Sequence, residues 1–488
     1  MRTEAGNDRG MRTIRAAIAV AVLAGAVTLL PFAGGDAAAK PKRSVSARSF
    51  TVATPPVPGP AEFNQVYVRA HGNPKARNVL ILMPGTFGGA GDFTLAAKEL
   101  VRRNRSLQVW ALDRREQALE DTSVFRKALA GKVSLKDAYN YYLGFMAGVT
   151  VNPHYRFQPV TTMTWARNWG MKTVLNDTRA VVKRARRSGK RVVLGGHSVG
   201  ASLAISYAAW DFHGRPGFRD LKGLVLIDGG LLGSFDPYNL EEAKAAMADM
   251  EAKGPFSDLI GLGIPELAGI FGELGGLYAR FKPAGPATTL QNFPLLPEYL
   301  KPPVPATNRA LLGYDFDRDT SPPFLSSLHV NAGRLGTGPG PVDWADGGVT
   351  PIRNVALTFA QEPANAIDWF FPRRITIDAN GADRMRMNPV AKYLGLRLMH
   401  TGKVNLPFYV VQTDMTGGDV LKGARNWLKR TRTPRKKAML VNADPRMSHL
   451  DPLLAAPEKN VFIKTVTPFL RKSFVPAPKK RPGISGHR

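Results

Sequence analysis

Short apolar runs closed by glycine, proline or aspartate recur along this chain, and helical patterns separate them. Asn78–Met83 (Asn-Val-Leu-Ile-Leu-Met) stops at Pro84-Gly85, and Leu107–Leu112 stops at Asp113. Arg191–Gly195 and Gly223–Ile227 follow the same plan, the second closed by Asp228-Gly229-Gly230. A strand without polar alternation is covered on both faces, as at the centre of a parallel sheet. Phe63–Ala70 alternates instead and closes at His71-Gly72-Asn73-Pro74, which predicts a further strand. Between these runs, Trp169–Arg187 places Met171, Val174, Leu175, Ala180 and Val181 at helical spacing with basic residues opposite. Asp121–Met163 is less regular and reads as an elaboration at the rim, with Tyr139, Tyr141 and Tyr142.

After Gly230 the strand–helix alternation stops until Asn405. The stretch between holds helical pieces, Leu240–Lys253 and the apolar Leu259–Phe281, among proline-rich loops such as Pro294–Pro305. Alternation resumes with the strand Pro407–Thr413, the helix Val420–Arg430, the strand Lys437–Val441 and a helix over Val461–Lys472. A compact fold does not tolerate a structureless loop of that length. The pattern predicts an α/β fold: a mostly parallel central sheet with flanking helices, its core split between 61–230 and 405–472. A largely helical cap is inserted over 231–404.

Composition changes the picture at the ends. Arg12 and Arg15 precede the apolar run Ala16–Ala33, and Ala37, Ala38 and Ala39 follow. Positive flank, short apolar stretch and small residues are what a cleaved export signal needs, so 1–39 reads as a signal peptide. An uncleaved membrane anchor is the alternative, since the run is near the lower length for spanning. Either places the body of the protein outside the cytoplasm, secreted or held at the cell envelope. Residues 40–60, basic and then rich in proline and valine, read as a linker, and 473–488 as a basic tail. The 488 residues include no cysteine, which excludes disulfides, thiolate metal sites and a cysteine nucleophile.

The formal charge is +29, and residues 1–39 contribute only one unit of it, with four arginines against three acids. That excess favours adhesion to an anionic cell-envelope surface. With no zinc-finger spacing and no aromatic–basic pattern, it does not point to specific nucleic acid. Nor does any ligand-spaced cluster of His, Asp and Glu point to a metal.

The chemistry sits at Val193-Leu-Gly-Gly196-His197-Ser198-Val199-Gly200-Ala-Ser-Leu-Ala204, which contains Gly-x-Ser-x-Gly. The pentapeptide alone is weak, but a buried strand runs into it and an apolar helix, Val199–Trp210, leaves it. Ser198 then stands on a sharp strand-to-helix turn, where Gly196 and Gly200 relieve collisions with neighbouring elements. On these features the chain resembles the α/β-hydrolase superfamily of the lipase and esterase kind, over roughly 60–230 and 405–475. The resemblance implies Ser198 as nucleophile and the backbone N–H of Val199 as one oxyanion donor. The second donor is implied in the loop Met83-Pro84-Gly85-Thr86-Phe87-Gly88-Gly89, at Thr86 and next at Phe87, with proline where the family often has histidine. Serine at the elbow excludes dehalogenase and epoxide-hydrolase chemistry, which needs a carboxylate there.

A serine hydroxyl needs a base of near-neutral pKa. Among eight histidines, His449 in Met447-Ser-His-Leu-Asp-Pro452 lies after the last predicted strand, where the resemblance implies the base. His197 is inside the elbow, His71, His154 and His213 come in the wrong chain order, and His329, His400 and His487 fall in the cap or tail. For the acid that orients His449 the resemblance implies Asp414, which directly follows the strand Phe408–Thr413, with Asp228 and Asp419 as alternatives. Asp419 also suits a helix cap, sitting immediately before Val420.

The cap's apolar segment, with Leu259, Ile260, Leu267 and Phe271, and Trp369-Phe370-Phe371 suggest a small hydrophobic ester or lipid as substrate. The glycines of that segment suggest a mobile lid. The expectation is an exported carboxylic ester hydrolase that uses no cofactor. An acyltransferase working through the same acyl-enzyme on envelope lipids, and a non-catalytic envelope-binding protein, are the competing readings.

Overall fold

The computed structural model describes residues 44–234, 236–361 and 366–474. The expected signal peptide, the first residues of the expected linker and most of the basic tail lie outside them. From Val45 onward the described residues form one compact unit.

Eight strands build the central sheet: β1 (Ala47–Ala53), β2 (Gln65–His71), β3 (Asn78–Met83), β4 (Leu107–Leu112), β5 (Arg191–His197), β6 (Gly223–Ile227), β7 (Phe408–Gln412) and β8 (Ala438–Asn442). They stand in the order β1-β2-β4-β3-β5-β6-β7-β8. β1 and β2 are antiparallel, as are β2 and β4, and every other pair is parallel. The apolar runs occupy the middle: every residue of β3, β4, β6 and β7 is buried.

Period-two alternation sends the side chains of β3 to two cores. Val79, Ile81 and Met83 join α2 (Met171–Arg187), α3 (Val199–Ala209) and α8 (Asp419–Arg430) on one face. Leu80 and Leu82 join α1 (Thr94–Arg103) and α9 (Val461–Ser473) on the other. Helices cover both faces, which is why these strands lack polar alternation.

The stretch between β6 and β7 is mainly helical, as expected. It includes α4 (Leu240–Lys253), α5 (Glu266–Phe281), α6 (Asn308–Phe316) and α7 (Ile352–Phe359). A third, aromatic core joins this insertion to the rim segment, whose helices span Ser123–Leu129 and Leu135–Tyr142. Trp369 and Phe370 lie in it, fully buried, and Phe371 is equally buried in the sheet's own core. None of the three supplies exposed apolar surface.

Three expectations need correction. Part of the expected linker is β1, an edge strand whose weak alternation hid it, paired with β2 from Ala47↔His71 to Ala53↔Gln65. The expected helix over 259–281 begins only at Glu266. Two of its glycines, Gly269 and Gly272, serve close packing where a mobile lid was expected. A Cβ on Gly269 would stand 2.1 Å from the Trp369 ring, and one on Gly272 equally close to Ile367.

The insertion also grips the loop after β3. Gly89 N–H donates to Ala366 O (3.0 Å) and Asp368 N–H to Phe87 O (2.9 Å), around an antiparallel bridge between Gly88 and Ile367.

Candidate active site

β5 ends at His197, and α3 starts at Val199, so Ser198 alone makes the turn. Its backbone takes φ 55° and ψ −126°, a strained left-handed value for a residue with a Cβ. The neighbours allow this because they are bare. A Cβ on Gly196 would stand 2.2 Å from the backbone carbon of Gly200, and one on Gly200 2.2 Å from Met83 O. Across the turn, a Cβ on Gly229 would meet Ser198 O at 2.2 Å. Gly-x-Ser-x-Gly is here a packing requirement of strand, turn and helix.

Ser198, His449, Thr86 and Phe87 line one cavity of about 50 Å³, with Leu259, Phe316 and Ile367 from the insertion. Phe87 also has a positive φ of 54°, so both loops facing the cavity are bent at a residue with a side chain. Val199 is the first residue of α3, and first-turn N–H groups have no partner within the helix.

His449 is buried, and its Nδ1 lies 2.5 Å from Asp228 Oδ2. Its Nε2 is buried and has no hydrogen-bond partner. Asp228 also accepts from Thr413 N–H (2.7 Å) and from the Thr413 hydroxyl. Burial alone would raise its carboxyl, but the bonds from His449 and Thr413 prevail and hold it below the usual value.

Asp414, the leading candidate from sequence, is not beside the histidine. Its Oδ2 accepts from Arg318 (3.0 Å) and from the Ser448 hydroxyl (2.9 Å). Thr413 fills the place next to Asp228, which turns Asp414 outward to the rim. Asp419 is the first residue of α8 and pairs with Lys422. Of the three acids, Asp228 is the one in contact with His449.

Several supporting residues were not singled out from sequence. Arg114, just past β4, donates to Pro84 O (3.2 Å), Gly85 O (3.1 Å) and Gly88 O (3.0 Å). The same guanidinium bonds Glu116 and Asp368, each at 2.6 Å. One buried cation therefore shapes the Pro84–Gly88 loop and ties it to the insertion. Its signal was a run of charge, Asp113-Arg114-Arg115, at the end of a buried strand. His197 makes a 2.9 Å contact from Nε2 to His449 O, and its ring lies 4.3 Å from the His449 ring. Burial, reinforced by His449, lowers His197 to about 3, so it is a neutral prop at ordinary pH.

Asp92 also lines the cavity. Burial pushes its carboxyl well above the usual range, so its neutral form is favoured beside the loop. Asp451 secures the loop carrying His449, accepting from Ser448 N–H and the Thr350 hydroxyl, each at 2.6 Å. Among the described residues, no group of three His, Cys, Asp or Glu is placed to hold a metal.

An eight-stranded, mostly parallel sheet with helices on both faces and a strained serine between central strand and helix defines the α/β-hydrolase fold. No family model matches the chain, and no curated protein matches it in sequence. Solved structures similar to it include a protein of Sulfolobus solfataricus described as a lipase (13% identity, 88% of this chain and 94% of that one, TM-score 0.46). A thermophilic esterase from Thermogutta terrifontis is 12% identical over 88% of this chain and 100% of its own, with TM-score 0.38. An epoxide hydrolase from an endophytic Streptomyces is 12% identical over 87% and 95%, with TM-score 0.41. At these identities the likeness concerns the course of the chain, not its chemistry.

Proposed function

We propose that this protein is an exported serine hydrolase that cleaves a hydrophobic carboxylic ester through an acyl-enzyme on Ser198. The observation that carries the reading is the His449 ring. One nitrogen is fixed on Asp228, and the other stands unpartnered in a residue that lines the same cavity as Ser198.

In this reading Ser198 Oγ attacks the ester carbonyl carbon as its proton passes to Nε2 of His449. Asp228 holds the hydrogen on Nδ1 and offsets the imidazolium charge. The N–H groups of Val199 and Thr86, with Phe87 adjacent, receive the oxyanion. Collapse expels the alcohol, which takes the proton from Nε2. Water then attacks the acyl-enzyme by the same route, releasing the carboxylic acid and restoring Ser198. A carboxylate nucleophile, needed for epoxide opening, is absent from the elbow. Export rests on the N-terminal sequence, and the apolar residues 259–328 beside the cavity favour a hydrophobic substrate.

A fluorophosphonate probe tests the reading. The purified protein should be labelled and should release p-nitrophenol from acyl esters, and Ser198→Ala should do neither. Labelling that survives in Ser198→Ala would overturn it.

A further inference from the structure

A second cavity, of about 70 Å³, lies beside the first within the insertion. Leu259, Ala268, Phe316 and Leu328 line both, so the two adjoin across these side chains, and the second continues as a passage under α5. Gly275 leaves part of its wall open: a Cβ there would meet only Leu312, at 3.4 Å. The passage is otherwise lined by leucines, phenylalanines and similar apolar groups, as an acyl chain requires.

Among the residues lining this second cavity, Asp315 is the one ionisable group. Its Oδ1 is buried and has no hydrogen-bond partner. A buried polar atom left unsatisfied is costly and calls for a reason. Asp315 also sits in the last turn of α6, where the helix presents its negative end and disfavours a carboxylate. Burial likewise pushes the carboxyl well above its usual range. A neutral carboxyl both donates and accepts a hydrogen bond, and it suits a neutral hydroxyl better than an ammonium group.

We infer that the natural substrate is an ester of a hydroxylated acyl chain, whose hydroxyl is received by Asp315 inside the apolar passage. This rests on Ser198 being the nucleophile. The carboxyl of Asp315, which lines the second cavity and has no hydrogen-bond partner, is then the partner of that hydroxyl in the bound state. A plain chain leaves it unsatisfied, and such a site discriminates against the analogue that lacks the bonding group.

The test compares p-nitrophenyl esters of straight-chain acids with positional isomers bearing one hydroxyl. At one hydroxyl position the wild type should exceed the plain ester in kcat/KM by about tenfold. Asp315→Leu should abolish that preference and improve turnover of the plain ester, while Asp315→Asn keeps part of it. A wild type that favours the plain ester against every isomer, or a preference that survives Asp315→Leu, overturns the inference. Failure of the Ser198 reading looks different, since no ester would then be turned over. In that case calorimetric binding of the free hydroxy acids and plain acids to the full chain decides, with equal affinity overturning the inference.

Discussion

His449 Nδ1 meets Asp228 Oδ2 at 2.5 Å, although Asp414 follows the neighbouring strand and reaches the loop of His449 through the Ser448 hydroxyl and Met447 O. The two acids therefore have separable effects. Asp228→Asn should keep the fold and lower kcat by about 10³–10⁴, the scale seen when a triad acid is replaced and the histidine tautomer is lost. Asp414→Asn should leave turnover near wild type and cost under about 1 kcal/mol of stability, as for a partly exposed ion pair. Steady-state kinetics and thermal melts of both variants check this.

Arg114 should separate loop geometry from simple stability. Arg114→Met removes the donors to Pro84, Gly85 and Gly88 and leaves Glu116 and Asp368 buried without their cation. Stability should fall by about 3–5 kcal/mol. Turnover should fall about a hundredfold, as when one oxyanion donor is misplaced. The double variant Arg114→Met/Asp368→Leu should recover part of the melting temperature but none of the lost kcat. Recovery of both together would mean that Arg114 acts through stability alone.

Acid sensitivity should trace partly to His71. This residue of β2 is fully buried, and neither ring nitrogen has a partner. Burial, with help from Arg69 and Lys98, lowers it from 6.5 to about 3. Between those values the unfolded chain binds a proton that the folded chain excludes. The stability linked to neutral His71 is thus present above 6.5 and is lost as pH falls toward 3. His71→Leu should flatten the dependence by up to about 1.4 kcal/mol per pH unit. Urea midpoints between about pH 4 and 8 measure it, with the difference confined to the acid side.

The sheet was legible because its central strands are largely apolar, and the elbow because Gly196 and Gly200 must flank Ser198 between strand and helix. His449 followed from chain order. The acid was not, because β6 and β7 are parallel neighbours with Ile227 paired to Val411, so Asp228, just past β6, and Asp414, two residues past β7, leave the sheet at the same end. Which aspartate turns inward depends on Thr413, whose N–H and hydroxyl both point at Asp228. That is a tertiary contact across 185 residues, and no local pattern encodes it. Arg114 and Asp368 lie 254 residues apart and escape a sequence reading for the same reason. Gly269 and Gly272 of α5 misled because composition cannot distinguish a hinge from a bare packing face.

The ladder between the loop after β3 and residues 366–368 is made of backbone atoms. Asp368 is held there by Arg114, but the ladder bonds themselves do not depend on the side chain of Ile367. Ile367 lies on that ladder and also lines the cavity beside Ser198. It is a position where the shape of the accepted substrate can drift, by natural substitution or by design, while the machinery that performs the cleavage stays inherited intact.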